Sequence, residues 1–233
     1  TLRQEMPGVG PDVVGATFCA HDGHVNPLRL LHVLRTAVQR LGGVVRRNAS
    51  VMTVVRDADA YKVTFDDQTI IGAERVFLCA GIGAMDLAPQ LGFRTKVHPQ
   101  RGELLITERL ASRLPFLSST IRQVDEGGIQ IGGTTADVGA DDSETLAKMR
   151  DLARHAVAVW PALADVNVVR SWGALRVKTP DGYPVYNRAP DGGEAFLVTC
   201  HSGVTLAPVH AKLLSAWFDG QANAPKLEGF GDG

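Results

Sequence analysis

The sequence is short of cysteine, carries no excess of one charge and has no long apolar run. Each shortage removes a class of protein. Cys19, Cys79 and Cys200 are odd in number and far apart, so no disulfide framework is expected, and a reducing compartment, the cytoplasm, is. Each cysteine reads as a small buried hydrophobe. With 24 basic against 25 acidic residues, no field would draw nucleic acid or an anionic membrane. No apolar stretch approaches the roughly 20 residues of a membrane span, and the opening Thr-Leu-Arg-Gln-Glu-Met-Pro lacks the pattern of a signal peptide. No internal repeat or low-complexity segment is visible.

What remains is the balance of a globular chain: 233 residues, 45% hydrophobic and 21% charged, enough to bury a core as one domain or two interlocked ones. Asp12 to Ala20 is apolar enough for one strand, ended by the turn His21-Asp-Gly-His24. Cys19, His21 and His24 are metal-ligand types, but no second ligand pair stands nearby, so no metal is expected. Asn26-Pro27 opens a helix as cap and first residue, with Leu30, Leu34, Ala37, Val38 and Leu41 on one face and Gly42-Gly43 as its stop. Gly43 to Arg46, Ser50 to Val55 and Tyr61 to Phe65 read as strands, and Asp66-Asp67 as the turn before Ile70-Ile71. Arg75 to Gly81 is a continuous apolar run, expected of a strand buried on both faces of a mostly parallel sheet. The Gly81-Ile-Gly83 that ends it is either a nucleotide-binding turn or a packed strand-to-helix turn.

From Gly92 the strands lengthen: Lys96 to Arg109, then Thr120 to Val124 and Ile129 to Gly132 flanking the hairpin signal Asp125-Glu-Gly-Gly128. A helix from Asp142 to Trp160, with Leu146, Met149, Ala153, Ala156 and Trp160 at helical spacing, ends at Pro161, and Val166 to Leu175 returns as strand. This order predicts a mixed α/β and α+β fold. A partial nucleotide-type α/β domain (21–91 with 194–220) is interrupted by a larger antiparallel-sheet domain (92–193), with 1–20 as an attached strand segment.

Chemistry-bearing residues are densest between Arg170 and Pro208. Arg176 stands at the end of a short apolar run, before the turn Pro180-Asp-Gly182. Its planar fork suits a carboxylate held bidentately, though a surface ion pair would also explain it. The apolar strand Ala195 to Thr199 breaks at His201-Ser202-Gly203 and opens a helix to about Gly220. Gly203 there either admits a ligand to the backbone and the positive helix end or is merely a turn.

Trp172-Gly-Ala-Leu-Arg176, Pro180-Asp-Gly-Tyr-Pro184 and Cys200-His-Ser-Gly-Val-Thr-Leu-Ala-Pro208 together resemble the C-terminal part of the FAD-dependent D-amino acid oxidase and glycine oxidase superfamily. In texture they are similar to its heteromeric members, the flavin subunits of opine oxidase and of hydroxyproline or proline dehydrogenases. Order and spacing agree over nearly the whole chain. The resemblance implies a partial FAD-binding domain joined to a substrate domain, with FAD as cofactor, and oxidation of the C–N bond of an amino acid or secondary amine by hydride transfer to the flavin. It implies that Arg176 holds the substrate carboxylate and that Ala80 and Gly81 contact the FAD. The strand near Val51 would pass the adenine, and Gly203, Val204 and Thr205 would lie under the flavin pyrimidine edge. His201 and Arg101 are candidate neighbours of the ring, with a structural histidine and a surface arginine as the plain alternatives.

Two departures qualify the resemblance. The strand, Gly-x-Gly-x-x-Gly turn, helix and acidic residue of a dinucleotide site are missing, since Gly8-Val-Gly10-Pro has neither the preceding strand nor the following helix. A fragment is therefore expected, or a chain whose FAD diphosphate half is not represented, and the chain alone is expected to be inactive. Glycine oxidases also place a tyrosine on the strand that here runs through Thr120 and Ile121, which leaves the second substrate contact open. The rival readings are a non-catalytic interaction subunit, favoured by the absent diphosphate loop, and a dehydrogenase subunit that hands electrons to partner electron-transfer subunits instead of oxygen. The expected ligand is a small carboxylated amine.

Overall fold

The computed structural model describes residues 2–115 and 117–231. In chain order its elements are α1 (Leu2–Glu5), α2 (Pro27–Arg40), β1 (Val51–Asp57), β2 (Ala60–Phe65), β3 (Ile70–Ala73), β4 (Val76–Leu78), α3 (Ala84–Leu87), β5 (His98–Arg109), β6 (Ile121–Gln123) and β7 (Gly128–Ile131). There follow α4 (Leu146–Val159), β8 (Val168–Lys178), β9 (Val185–Arg188), β10 (Ala195–Thr199), α5 (Gly203–Val209), a π-helical turn (His210–Leu214) and α6 (Ser215–Phe218). They form a mixed α/β structure with antiparallel sheets. Two compact units result, Thr1–Leu30 with Gln100–Leu175 and Leu31–Pro99 with Arg176–Gly233.

In the first unit β6, β7, β5 and β8 lie side by side in that order. The predicted hairpin forms, with Val124 N–H bonded to Gly128 C=O and Gly127 at φ +98°, a conformation glycine adopts without strain. Strand alternation turns Leu105, Ile121, Ile129 and Ile131 to one face, where Leu152 and Ala156 of α4 close the core. The sequence places Leu146 on the apolar face of this helix, yet it is 86% exposed, because burial begins only at Met149 and Leu152. Beneath the helix start sits a buried carboxylate. Glu103 accepts the Thr145 N–H at 2.9 Å and pairs with Arg101 Nε at 3.3 Å. Gly10 donates its N–H to Val159 C=O, and a Cβ there would stand 1.7 Å from the Ala158 oxygen, so the close approach requires glycine.

The strand expected over 12–20 does not form. Those residues are coil, with Val14 and Phe18 exposed, since no described strand offers its edge to them. The same holds for 43–46, where Val44 is 86% exposed.

In the second unit β1, β2 and β3 form an antiparallel meander, and β10 lies between β4, parallel to it, and β9, antiparallel to it. All five residues of β10 are buried, and alternation explains why a continuous apolar run is needed. Ala195 and Leu197 join a core with Val54, Tyr61, Leu78, Phe93 and Val185. On the other side Val198 joins Tyr186 and Leu214, and Phe196 meets Trp217 and Phe218 edge-on. The neighbouring β4 departs from its expectation: Leu78 is buried, but Phe77 is 43% exposed, so the strand is not covered on both faces. β9 was not evident in the sequence, because its four residues lie between two turns and owe their conformation to pairing with β10.

Helix α2 matches its expected start and stop. Asn26 Oδ1 accepts the N–H groups of Leu28 and Arg29 at 3.1 and 3.2 Å, and Gly42 takes φ +85° after the last turn. None of its residues is buried.

Candidate functional site

Arg176 and Lys178 leave the end of β8 in the second unit. Between and after them the chain is anchored inward. Val177 packs on the core and stands 3.3 Å from where a Gly81 Cβ would be, and the buried Thr179 donates its hydroxyl to Tyr183 C=O at 2.7 Å. Alternation along the strand therefore sends Arg176 and Lys178 to the opposite side. Both are half-buried. The turn that follows is held by Asp181, whose Oδ1 accepts the Tyr183 N–H at 2.9 Å, with Gly182 at φ +81°.

His201, just past the end of β10, lies near enough to this strand to feel the charges of Lys178 and Arg176. The residue is exposed overall, yet partial desolvation of the ring first, and then the cations of Lys178 and Arg176, hold its imidazole below the ordinary histidine value. The ring is thus neutral at neutral pH and over a wider acid range than a free histidine, and its Nδ1 lies 3.2 Å from Ser202 Oγ. Just before it, the Thr199 hydroxyl is buried, and its oxygen has no hydrogen-bond partner among the described residues. The cysteines are not the buried hydrophobes expected, since Cys19 and Cys79 are exposed and Cys200 is half-buried; partial desolvation still pushes the thiols of Cys200 and Cys79 up, so neither is poised as a thiolate nucleophile.

At the start of α5 the side chain of Ser202 makes no capping bond, and the first backbone bond of the turn is Leu206 N–H to Ser202 C=O. The N–H groups of Gly203, Val204 and Thr205 precede that bond and have no intrahelical acceptor. Gly203 and Val204 are exposed, and a Cβ on Gly203 would meet nothing nearer than Cys200 Sγ at 3.8 Å. Ala80 and Gly81 follow β4, which is paired to β10, and Gly81 takes φ +59° as the chain turns into a short 3-10 segment. Val51 opens β1 and is half-buried against the same core.

Arg176 and His201 are thus brought together, while Arg101 belongs to the other unit. It is not a surface side chain. The residue is 5% exposed, paired with Glu103 and with Asp141, and hydrogen-bonded to Ser143. Ser143 first, then Arg101, keep the Asp141 carboxyl below its usual value. Two residues escaped the sequence reading. Lys178 was legible in principle, since Arg-Val-Lys on a strand puts both cations on one side, but Thr199 needed the tertiary structure to reveal its lone hydroxyl.

The matched stretch extends far beyond these residues. A model of the FAD dependent oxidoreductase family (DAO) matches residues 1–217. The chain belongs to this family. It is 41% identical over 212 residues to an opine oxidase subunit of Rhizobium meliloti, covering 91% of this chain and 57% of that protein. It is 31% identical over 222 residues to the hydrogen cyanide synthase subunit HcnC of Pseudomonas protegens, covering 91% and 53%. The fold matches the crystal structure of glycine oxidase from Geobacillus kaustophilus with a TM-score of 0.90 and 22% identity, covering 99% of this chain and 64% of that one. The chain thus spans little more than half the length of the two curated relatives. Among the described residues no helix is long and apolar enough to cross a membrane.

Proposed function

We propose that the whole protein uses FAD to oxidise the C–N bond of an amino acid or secondary amine, with Arg176 as the anchor of the substrate carboxylate. The observation that carries this reading is the half-buried Arg176 beside a neutral His201, next to a helix start with unused N–H groups. The residues present fit a flavin. The uncapped N–H donors of Gly203, Val204 and Thr205 suit the electron-rich edge of a reduced ring. Ala80, Gly81 and Val51 would hold other parts of the cofactor. The chemistry the cofactor supplies when bound is acceptance of a hydride from the carbon next to the amine, leaving an imine that water hydrolyses to an oxo acid.

The protein's own part is orientation. Arg176 fixes the carboxylate and so the adjacent carbon, while the neutral His201 can accept a hydrogen bond from the amine without adding a third positive charge. A role for Arg101 near the ring would run through its own unit, where Glu103 and Asp141 hold it. The opine oxidase relative and HcnC are both named as subunits, which supports delivery of electrons to a partner chain. All three cysteines are free, and we place the protein in the cytoplasm on that ground.

The test is Arg176→Met in the full-length protein. Turnover of carboxylated amines falls about 30-fold to several-thousand-fold, the cost of truncating one partner of a desolvated charge pair, and flavin content stays unchanged. Equal slowing of amines with and without a carboxylate, or release of the flavin, would make Arg176 structural and remove the proposed substrate class.

A further inference from the structure

We infer that the hydrogen bond between Tyr186 and His210 is a positioning device for the start of α5, and that through it both residues tune the flavin edge that the N–H groups of Gly203, Val204 and Thr205 would face. The inference deepens the function proposed above and rests on it. Its ground is a polar pair set inside an apolar contact, at the point where the helix loses its regular bonding. Tyr186 Oη and His210 Nε2 lie 2.8 Å apart, with the two rings edge to face at 5.6 Å. Tyr186 is 8% exposed and belongs to a cluster with Val198, Leu214, Trp217 and Phe230.

The helix that follows β10 runs without a break from Gly203 through the π-helical turn to Phe218, yet its two halves are held differently. The later half buries Leu214 and packs Trp217 and Phe218 on Phe196 of β10. No residue of α5 is buried, so packing of its own side chains fixes its start only weakly. Pro208, inside α5, has no N–H to give to Val204 C=O, which loosens the first turns further. The π turn begins two residues on, at His210, and such wider turns gather at functional sites. Val209 is 48% exposed, so His210 is the first side chain after the proline that ties the helix to the sheet.

An apolar residue at position 210 would fill the same space, but apolar contact has no direction. A hydrogen bond inside a low-dielectric cluster fixes both the distance between β9 and the helix and the rotation of the helix about its axis. Tyr186 is itself held, because β9 pairs with β10 in register, Tyr186 opposite Val198. Burial keeps the His210 imidazole below the ordinary histidine value and pushes the Tyr186 phenol up, so both partners are neutral at neutral pH. A helix end acts on a charge only within its first turn. A small shift of α5 therefore changes what the flavin edge meets.

Full-length, flavin-containing protein is compared as wild type, Tyr186→Phe, His210→Leu, His210→Gln and the double variant Tyr186→Phe with His210→Leu. Flavin content, the midpoint potential from a spectroscopic redox titration and the urea unfolding midpoint are read for each. Loss of the bond weakens the stabilisation of reduced flavin about 3- to 10-fold in either Tyr186→Phe or His210→Leu, a midpoint potential about 15 to 30 mV lower, at unchanged flavin content. The double variant falls no further than the single ones, because the same bond is lost in each. His210→Gln, whose amide can still meet the Tyr186 hydroxyl, recovers most of the shift. A merely structural pair would lower the urea midpoint and leave the potential where it was, and that result overturns the proposal. So do shifts that add in the double variant, or a potential that His210→Gln fails to recover. Should His210→Leu fail to fold, Tyr186→Phe, which keeps the ring and removes only the hydroxyl, decides alone. Wild type that binds no flavin removes the proposed function and this inference with it. A flavin-containing wild type whose potential is unchanged in Tyr186→Phe removes this inference alone.

Discussion

Helices α2 and α4 have 14 residues each and the same amphipathic spacing, yet they end in opposite environments. Helix α4 buries Leu152 and Ala156 against the sheet, while α2 buries nothing and leaves Leu31, Leu34 and Val38 at 62, 48 and 45% exposure. Their starts differ in the same sense. The cap of α2 is local, from the side chain of Asn26 to the N–H groups two and three residues on. The start of α4 has no capping bond from Thr145, and Glu103, 42 residues away on β5, accepts the Thr145 N–H instead. An apolar stripe thus states that a face is able to be buried, and only a partner at the right distance decides whether it is.

That contrast can be broken by substitution, measured as urea unfolding of the chain. The largest effect is expected at Glu103→Ala, which leaves the buried Arg101 without its strand partner and the start of α4 without its acceptor. A loss of about 3 to 5 kcal/mol follows from breaking a buried pair, and a loss below about 1 kcal/mol would mean that Asp141 suffices to hold Arg101. Next comes a matched pair on the two helices. Leu152→Ala costs about 2 to 5 kcal/mol as a core truncation, whereas Leu34→Ala stays within about 0.5 kcal/mol. Equal costs would show that the α2 face is covered by another chain in solution, which a concentration-dependent transition would reveal. The smallest effect is Asn26→Ala, about 1 kcal/mol. Circular dichroism should place that loss in α2 alone, and cooperative loss of α4 as well would contradict the local nature of its cap.

Much of this was legible because the signals are short-range. The Asn26-Pro27 start, the Gly42 stop, the Asp125 to Gly128 hairpin and the apolar run of β10 are written within a few residues of where they act. The three sequence stretches around Arg176, Pro180 and Cys200 likewise marked the region where Arg176 and His201 meet. Strands were less secure, since a strand exists only when another edge receives its hydrogen bonds. Residues 12–20 and 43–46 have strand composition and no described partner, while β9 has little strand signal and a partner in β10.

Caps, turns and apolar periodicities were all present in the order of residues, because they follow from dihedral preference and side-chain chemistry. It took the folded chain to bury Arg101 between Glu103 and Asp141, to stand Lys178 beside His201, and to seal the Thr199 hydroxyl without a partner. The physical reason is that burial and charge compensation are properties of what comes from elsewhere in the chain, and no spacing between neighbours in sequence encodes the arrival of a distant group.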